Sequence, residues 1–320
     1  MTEKFNAALI EAIHTYAPVH SNPAGVVADT LLISREAAYR RLRGDVPFTF
    51  GEAAALGAQL HFSLDRILGS GEGNVLFNLK FTEFCEPLDR YGELLEHDIG
   101  FFREAASDPA TVVTLAGNTL PEGLYFRYEN LTRFKFFKWI YQHGLGGPSM
   151  HTFADMHLPE WFGRLTAEYV AGVQSAATTH YLFDDTSFRH WLNAVRAFRE
   201  MHLISDEDVR SLREELFCLL DDMERIACVG AYSNGNNISF YLSDVDLEAS
   251  YSYVSTSSYR SVGIGIFSLN TLRTTDALMY DYVRNWVLTQ SRFATIISRS
   301  GELRRIRYFK QQREIVGGMG

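Results

Sequence analysis

The chain has 320 residues, of which 46% are hydrophobic and 22% are charged, and its formal net charge is −9. This composition excludes collagen-like, coiled-coil and wholly disordered chains, and the length corresponds to about two domains. No run approaches the ~18–20 consecutive apolar residues of a membrane helix. Glu3, Lys4 and Glu11 interrupt the first segment, where a signal peptide would be apolar.

The three cysteines, Cys85, Cys218 and Cys228, are widely spaced and form no CxxC motif. Neither a disulfide scaffold nor a thiolate zinc site is indicated, because both need paired or closely spaced cysteines. The pattern is typical of a reducing compartment. We therefore expect a cytoplasmic protein with no membrane partner.

The first seventy residues predict five short helices. Asn22 followed by Pro23 is a helix start, because asparagine caps the helix and proline tolerates its first turn. Ser34 caps the next helix, which Gly44 ends by adopting a positive φ. The predicted segments are 3–16, 23–32, 34–43, a helix opened by the capping box Thr49–Glu52, and a short turn at Ser63–Arg66.

A glycine cluster at Gly69–Gly73 marks a linker. Residues 75–107 then show a long amphipathic pattern that contains Pro87. Because this helix is long and follows the linker, we expect it to mediate dimerisation. Further helices are predicted at 121–142, 159–177, 187–201 and, with Ser205 as its cap, 206–228.

After Gly230 the sequence predicts a sheet, since β-branched and aromatic residues alternate with polar ones. The predicted segments are antiparallel strands at Ile238–Leu242, Ala249–Ser255 and Ser261–Leu269, then helices at 274–292 and 301–314. The predicted fold class is mostly α with a small antiparallel sheet, an α+β fold. The expected domains are a helix-turn-helix domain at 1–70, a linker and connector helix at 71–108, a helical region at 109–229 and an α+β sensor or assembly domain at 230–320. The last two regions are compatible with one packed unit.

The segment Ser34–Arg43 is locally basic although residues 1–70 hold six basic and seven acidic residues. It carries four arginines against Glu36 alone. In a helix-turn-helix protein the second helix enters the major groove, where the side chains of its first turns meet base edges. The acidic net charge of the whole chain therefore does not exclude binding to nucleic acid.

We assign base reading to Arg35, Glu36, Tyr39 and Arg40. Arginine can bind the O6 and N7 atoms of guanine with two hydrogen bonds, and a glutamate can accept from cytosine N4. The apolar side of the same helix would then pack against its neighbour. This assignment is a hypothesis about the exposed face of the helix.

Phosphate contacts are assigned to Asn22, Arg41 and Arg43. Free amides at the Asn22–Pro23 helix start would add to these contacts, because a helix N-terminus attracts anions. Ser34 completes the candidate DNA-binding set as the residue that opens the recognition helix.

The segment VVADTLLISREAAYRRLRGDVPFTFGEAAALGAQLHFSLDRILG resembles helices two to five of the Cro/lambda-repressor-like helix-turn-helix family. The resemblance covers about residues 4–70 and implies a five-helix DNA-binding fold. The segments KFFKWIYQ, REELFCLLDDMERIA, EASYSYV and SRSGELRRIRYF resemble the long C-terminal region that follows this domain in a group of bacterial transcriptional regulators. That second resemblance implies an appended regulatory or oligomerising domain.

Other motifs indicate no metal, cofactor or catalytic residue. His151, Asp155 and His157 are spaced so that one helix face cannot present all three, and we interpret them as loop residues. The segment Gly263–Phe267 lacks the third glycine of a dinucleotide-binding turn. No nucleophile and base occur at a recognisable spacing. The chain is therefore not expected to be an enzyme.

The basic segment Arg299–Arg313 leaves three interpretations open. It could be a solvated helix, a second phosphate contact, or part of a pocket for an anionic effector. The serines and tyrosines of Tyr251–Tyr259 could line such a pocket, and an exposed strand face would give the same pattern.

Taken together, the sequence predicts a sequence-specific DNA-binding transcriptional regulator. Its expected partners are double-stranded DNA, a second copy of the chain, and a small-molecule or protein effector at the C-terminal domain. A homodimer on half-sites about one helical turn apart is expected, since one recognition helix buries too little surface for tight binding. The alternatives are a helical protein-interaction adaptor and an enzyme domain fused to a helix-turn-helix.

Overall fold

The computed structural model describes residues 2–18, 21–60, 62, 64, 67, 75–80, 87–144 and 150–319. The chain forms two compact units, Met1–Leu76 (unit 1) and Phe77–Gly320 (unit 2). The glycine cluster Gly69–Gly73, Cys85 and most of the predicted turn at Ser63–Arg66 lie outside the described residues. Within the described ranges, no helix combines the length and apolar character needed to span a bilayer.

Unit 1 contains the helices that its caps predict. They are α1 (Thr2–Tyr16), α2 (Pro23–Leu31), α3 (Arg35–Leu42) and α4 (Phe50–Leu60). Each contributes to one apolar core, represented by Leu9, Val27, Ala38 and Leu56, which are fully buried. A fully buried leucine side chain contributes about 1.5–3 kcal/mol, so this small core is enough to hold short helices together.

The capping box that the sequence predicts at the start of α4 is present. Thr49 Oγ1 accepts from the Glu52 backbone amide at 3.3 Å, and Glu52 Oε2 accepts from the Thr49 amide at 2.7 Å. These two bonds satisfy amides that would otherwise lack a partner at a helix N-terminus.

Unit 2 is a mixed α/β unit in which helices separate the first three strands. Its helices are α5 (Pro87–Ala105), α6 (Glu122–Tyr125), α7 (Glu129–Gln142), α8 (Glu160–Ser175), α9 (Ser187–Glu200), α10 (Asp206–Val229), α11 (Ala277–Gln290) and α12 (Glu302–Gly317). Its strands are β1 (Val112–Gly117), β2 (Thr178–Phe183), β3 (Asn237–Ser243), β4 (Tyr251–Ser255), β5 (Arg260–Ile266), β6 (Asn270–Thr274) and β7 (Ala294–Ile296).

The seven strands form one sheet in the order β6-β5-β4-β1-β2-β3-β7. Strands β1, β2 and β3 are parallel, whereas the remaining neighbours are antiparallel. The predicted fold class, mostly α with a sheet, is confirmed, but the sheet is larger than expected and mixed. The regions 109–229 and 230–320 share this sheet and so belong to one unit.

Alternate residues of the central strand β2 face two different cores. Tyr181 and Phe183 belong to the large core, which includes buried residues of α7, α10 and α12. Leu182 faces the other side and packs in a core with Tyr280 and Val283 of α11. This alternation follows from the two-residue period of a strand and leaves the central strands covered on both faces.

The connector helix predicted over 75–107 begins later than expected. Pro87 is the first residue of α5, where proline costs no hydrogen bond, and residues 75–80 are not helical. The apolar side of α5 is buried within unit 2, through Leu95, Ile99 and Phe102. The expectation that this helix mediates dimerisation loses its basis, because its apolar side already packs inside one copy.

Candidate nucleic-acid interface

Helices α2 and α3 form a helix-turn-helix whose two starts are capped as the sequence predicts. Asn22 Oδ1 accepts from the Ala24 amide at 3.0 Å. Ser34 Oγ accepts from the Ala37 amide at 3.2 Å. Side-chain caps of this kind contribute about 1 kcal/mol each, and here they fix the first residue of each helix.

The turn between the two helices depends on a leucine in the left-handed region. Leu32 has φ 53° and ψ 41°, and its side chain is 92% exposed. A left-handed conformation brings the Cβ atom of an L-residue close to the following carbonyl oxygen, at a cost of about 1–2 kcal/mol. Leu32 therefore carries backbone strain that its side chain does not offset by burial.

We expect Leu32→Gly to stabilise unit 1 by about 0.5–1 kcal/mol, because relief of about 1–2 kcal/mol of left-handed strain exceeds the conformational-entropy cost of glycine, about 0.5–1 kcal/mol. Slower amide hydrogen exchange in α2 and α3 would show the gain. The matched control is Leu31→Gly, which removes a helical residue that packs on the core and should accelerate exchange. Faster exchange in Leu32→Gly would contradict the strain argument.

The amides at the start of α2 are not free, contrary to expectation. The Ala24 amide is taken by the Asn22 side chain, and the Gly25 and Val26 amides donate to the Asn22 carbonyl at 2.8 and 3.1 Å. Pro23 has no amide proton to offer. The amides of Ala24, Gly25 and Val26 therefore already have acceptors within the protein, and their assignment to a phosphate is corrected.

The outward face of α3 carries Arg35, Glu36, Tyr39 and Arg40, all of them exposed. Among the described residues, Arg35 and Arg40 form no ion pair. Tyr39 is held in place, since its hydroxyl accepts a hydrogen bond of 2.9 Å from Asn22 Nδ2. The first two amides of α3, at Arg35 and Glu36, have no acceptor within the helix. The four residues assigned to base reading thus share one accessible surface.

Arg41, which the sequence predicts as a phosphate contact, faces inward and binds other residues of unit 1. Its guanidinium forms an ion pair of 2.6 Å with Glu52 and donates to the Pro47 carbonyl at 2.6 Å. Its side chain is 17% exposed and lies over the Phe48 ring at 5.6 Å. The phosphate assignment of Arg41 is replaced by a structural one: the residue ties the end of α3 to α4.

Arg43 follows α3 and remains exposed. Its guanidinium pairs with Asp45 at 3.0 Å, and both side chains are about half-exposed. Such surface pairs contribute at most about 1 kcal/mol and exchange readily with solvent or another anion. Arg43 is therefore the arginine of this segment that best fits a phosphate contact.

No protein-family model, no curated protein and no solved structure matches this chain. The interpretation of α2 and α3 rests on the geometry and charge of these helices. The two resemblances noted in the sequence remain expectations.

The basic segment Arg299–Arg313 lies in unit 2, and most of its basic side chains bind other groups of that unit. Arg299 and the buried Arg305 donate to backbone carbonyl groups at 3.0–3.1 Å. Arg304 and Arg313 pair with carboxylates at 2.6–2.7 Å. Four of the six basic side chains therefore stabilise unit 2, which favours a structural role for this segment over an anion pocket or a second phosphate contact.

Proposed function

We propose that the chain is a sequence-specific DNA-binding regulator of transcription, with α3 of unit 1 in the major groove. The observation that carries this proposal is the contrast along α3. Arg35 and Arg40 are exposed and form no ion pair with any residue that the structure describes, whereas Arg41 is turned inward and paired with Glu52. Arg35 and Arg40 lie on the same exposed face as Glu36 and Tyr39, so a duplex could contact all four hydrogen-bonding side chains at once.

Each outward residue of α3 has a role in this proposal. Arg35 and Arg40 bind guanine O6 and N7, and Glu36 accepts from cytosine N4. Tyr39, oriented by Asn22, adds a hydroxyl that can donate while it accepts from the amide. The two open amides at the start of α3 and the Arg43 guanidinium hold phosphates.

The regulator acts as a dimer in this proposal. A single module of this kind buries roughly 600–1,000 Å² of protein surface on DNA, whereas tight specific complexes bury more. Two copies related by a two-fold axis would place their recognition helices about one helical turn apart, about 34 Å. The preferred site should then be an inverted repeat.

Selection from a randomised duplex library with the full-length protein, at one fixed salt concentration, tests this proposal. We expect enrichment of one inverted-repeat motif. Salt must be fixed because each phosphate contact adds about 0.9 to the slope of log affinity against log salt. Arg43→Ala serves as the matched variant: it should keep the motif, weaken binding to all duplexes alike and lower the salt slope by about one.

An absence of enrichment, with weak binding that is equal on all duplexes, would contradict the proposal and favour the adaptor interpretation. A motif without inverted symmetry would support DNA recognition and contradict the dimer. The selection therefore separates the two parts of the proposal.

A further inference from the structure

Unit 2 contains a cavity of about 700 Å³ at the carboxyl end of β1, where Gly117 is followed by Asn118 and Thr119. Helices α5, α6, α7 and α8 and strands β2, β4, β5 and β6 contribute further lining residues. A volume of this size is within the range of small-molecule sites, which often lie beyond the carboxyl ends of strands. Tyr251 and Tyr259 of the serine- and tyrosine-rich segment line it.

Lysine is concentrated at this cavity. The chain has five lysines among its 30 basic residues, and three of them, Lys80, Lys135 and Lys138, line the cavity. Lys135 and Lys138 are three residues apart on α7, so they lie on the same side of the helix. A lysine ammonium is a compact charge on a flexible stem and is a common ligand of anionic groups.

The charges of the cavity do not cancel. Arg273 of β6 forms a two-pronged ion pair with Asp98 of α5, and Lys135 Nζ lies 3.8 Å from Glu122 Oε1. Lys138 is half-buried and has no hydrogen-bond or ion-pair partner among the described residues. With Lys80 and Glu248, the lining holds four basic side chains against three carboxylates, whereas the whole chain is acidic.

Burial, and secondarily the neighbouring Lys135, lowers the pKa of Lys138 to about 8. Burial removes water from the Lys138 ammonium, and a bound anion would stabilise its positive charge. Burial raises the pKa of Tyr91 and of Tyr169, with Glu122 contributing to both shifts. Both phenols consequently stay protonated and can donate hydrogen bonds into the cavity.

We infer that this cavity binds a small organic anion whose phosphate or carboxylate group lies against Lys135 and Lys138. The phenols of Tyr91 and Tyr169 are further donors to the anion or to the body of the ligand. The hydroxyl groups of Thr119, Ser250 and Ser252 suit a hydroxylated ligand body, while leucines of α5 and β2 offer apolar contact.

The observations that support this site do not depend on DNA recognition by unit 1. If the chain regulates transcription as proposed, the anion is its effector. If unit 1 fails to select DNA, anion binding can still be tested, because every residue that lines the cavity belongs to unit 2.

The experiment uses pyridoxal 5′-phosphate as an anionic probe on the full-length protein. Its aldehyde condenses with a neutral lysine amine, which releases water and forms an imine, and borohydride then reduces the imine to a stable secondary amine. Pyridoxal, which has the same aldehyde and no phosphate, is the matched probe. Peptide mass spectrometry quantifies the adduct at each lysine.

Comparison of the two probes separates anion binding from mere reactivity. A low pKa alone would accelerate both reactions at Lys138 equally. We expect the ratio of phosphate-bearing to phosphate-free labelling to be about tenfold higher at Lys138 than at the exposed Lys4 and Lys310, which corresponds to one favourable ion contact. An equal ratio at all three lysines would overturn the inference.

Competition identifies the anionic group. Protection of Lys138 by millimolar inorganic phosphate and not by acetate would assign a phosphate ligand, and the reverse would assign a carboxylate. Protection by neither anion would overturn the site.

Three substitutions complete the test. Lys135→Met is expected to reduce the probe ratio at Lys138 several-fold, and Glu122→Gln is expected to increase it, because the competing carboxylate is removed. Lys138→Met removes a poorly solvated charge, so its melting temperature should rise while phosphate no longer shifts it. A melting temperature that still responds to phosphate in Lys138→Met would contradict the assignment.

Discussion

The double variant Arg35→Ala/Arg40→Ala is expected to bind the selected duplex about 100-fold or more weakly than the wild type at equal salt. Each arginine–guanine pair contributes about 1–3 kcal/mol of discrimination, and every 1.4 kcal/mol is a factor of ten in affinity. The substitutions should weaken specific binding without unfolding unit 1, since both side chains are exposed and neither is part of its core. Equilibrium titration of a labelled duplex measures it.

A second double variant controls for net charge. Arg189→Ala/Arg210→Ala also removes two exposed arginines, but from unit 2, where both lie on helices. Its affinity should stay close to that of the wild type. Equal losses in the two double variants would show that affinity follows total charge, and base reading by α3 would be refuted.

The helix-turn-helix of unit 1 could be predicted from the sequence because its determinants are local. Asn22 and Ser34 each accept from an amide two or three residues further along the chain. Gly44 adopts the positive φ that ends the helix. Such contacts depend only on residues that are close in the chain, so the sequence alone indicates them.

The role of Arg41 could not be predicted in the same way. Arg41 and Arg43 are two residues apart and chemically alike, yet one is paired inward with Glu52 and the other is exposed. The two arginines differ because α4 lies beside Arg41. The pattern of charges in the sequence does not show this tertiary contact. The sequence also indicates Glu52 only as a cap, whereas its second carboxylate oxygen forms the ion pair.

Strands β1 and β2 escaped prediction because of their place in the sheet. Both lie in the middle, covered on two faces, so their apolar residues do not alternate cleanly with polar ones. Each is six residues long and lies between helices. The sequence predicts β3, β4 and β5, whereas β6 and the three-residue β7 were missed as well.

The sequence indicates the cavity of unit 2 only in part, through the segment Tyr251–Tyr259, of which Tyr251, Ser252 and Tyr259 line it. Its walls come from segments as far apart as Lys80 and Asn270, so no local motif exists. The scarcity of lysine in a chain that otherwise uses arginine is visible, as is the spacing of Lys135 and Lys138. Neither fact locates a cavity without the fold.

Gly301→Ala is expected to lower the free energy of unfolding of unit 2 by about 3 kcal/mol, from left-handed strain and overpacking together. Gly301 has φ +66°, and a Cβ atom there would lie 2.2 Å from the carbonyl oxygen of Ile296, a contact that requires the backbone to move. The residue precedes α12, whose Tyr308 and Phe309 are buried in the large core. Urea unfolding followed by tryptophan fluorescence reports on this unit alone, because all four tryptophans lie within it.

The control is Gly100→Ala in α5, where a new Cβ meets no atom within 4 Å. Alanine in a helix interior is favoured over glycine by about 0.5–1 kcal/mol, so this variant should gain stability. The two substitutions are chemically identical and differ only in backbone conformation and surroundings. Stabilities within about 0.5 kcal/mol of each other, the usual scatter of surface substitutions, would therefore show that the Ile296 contact does not constrain the start of α12.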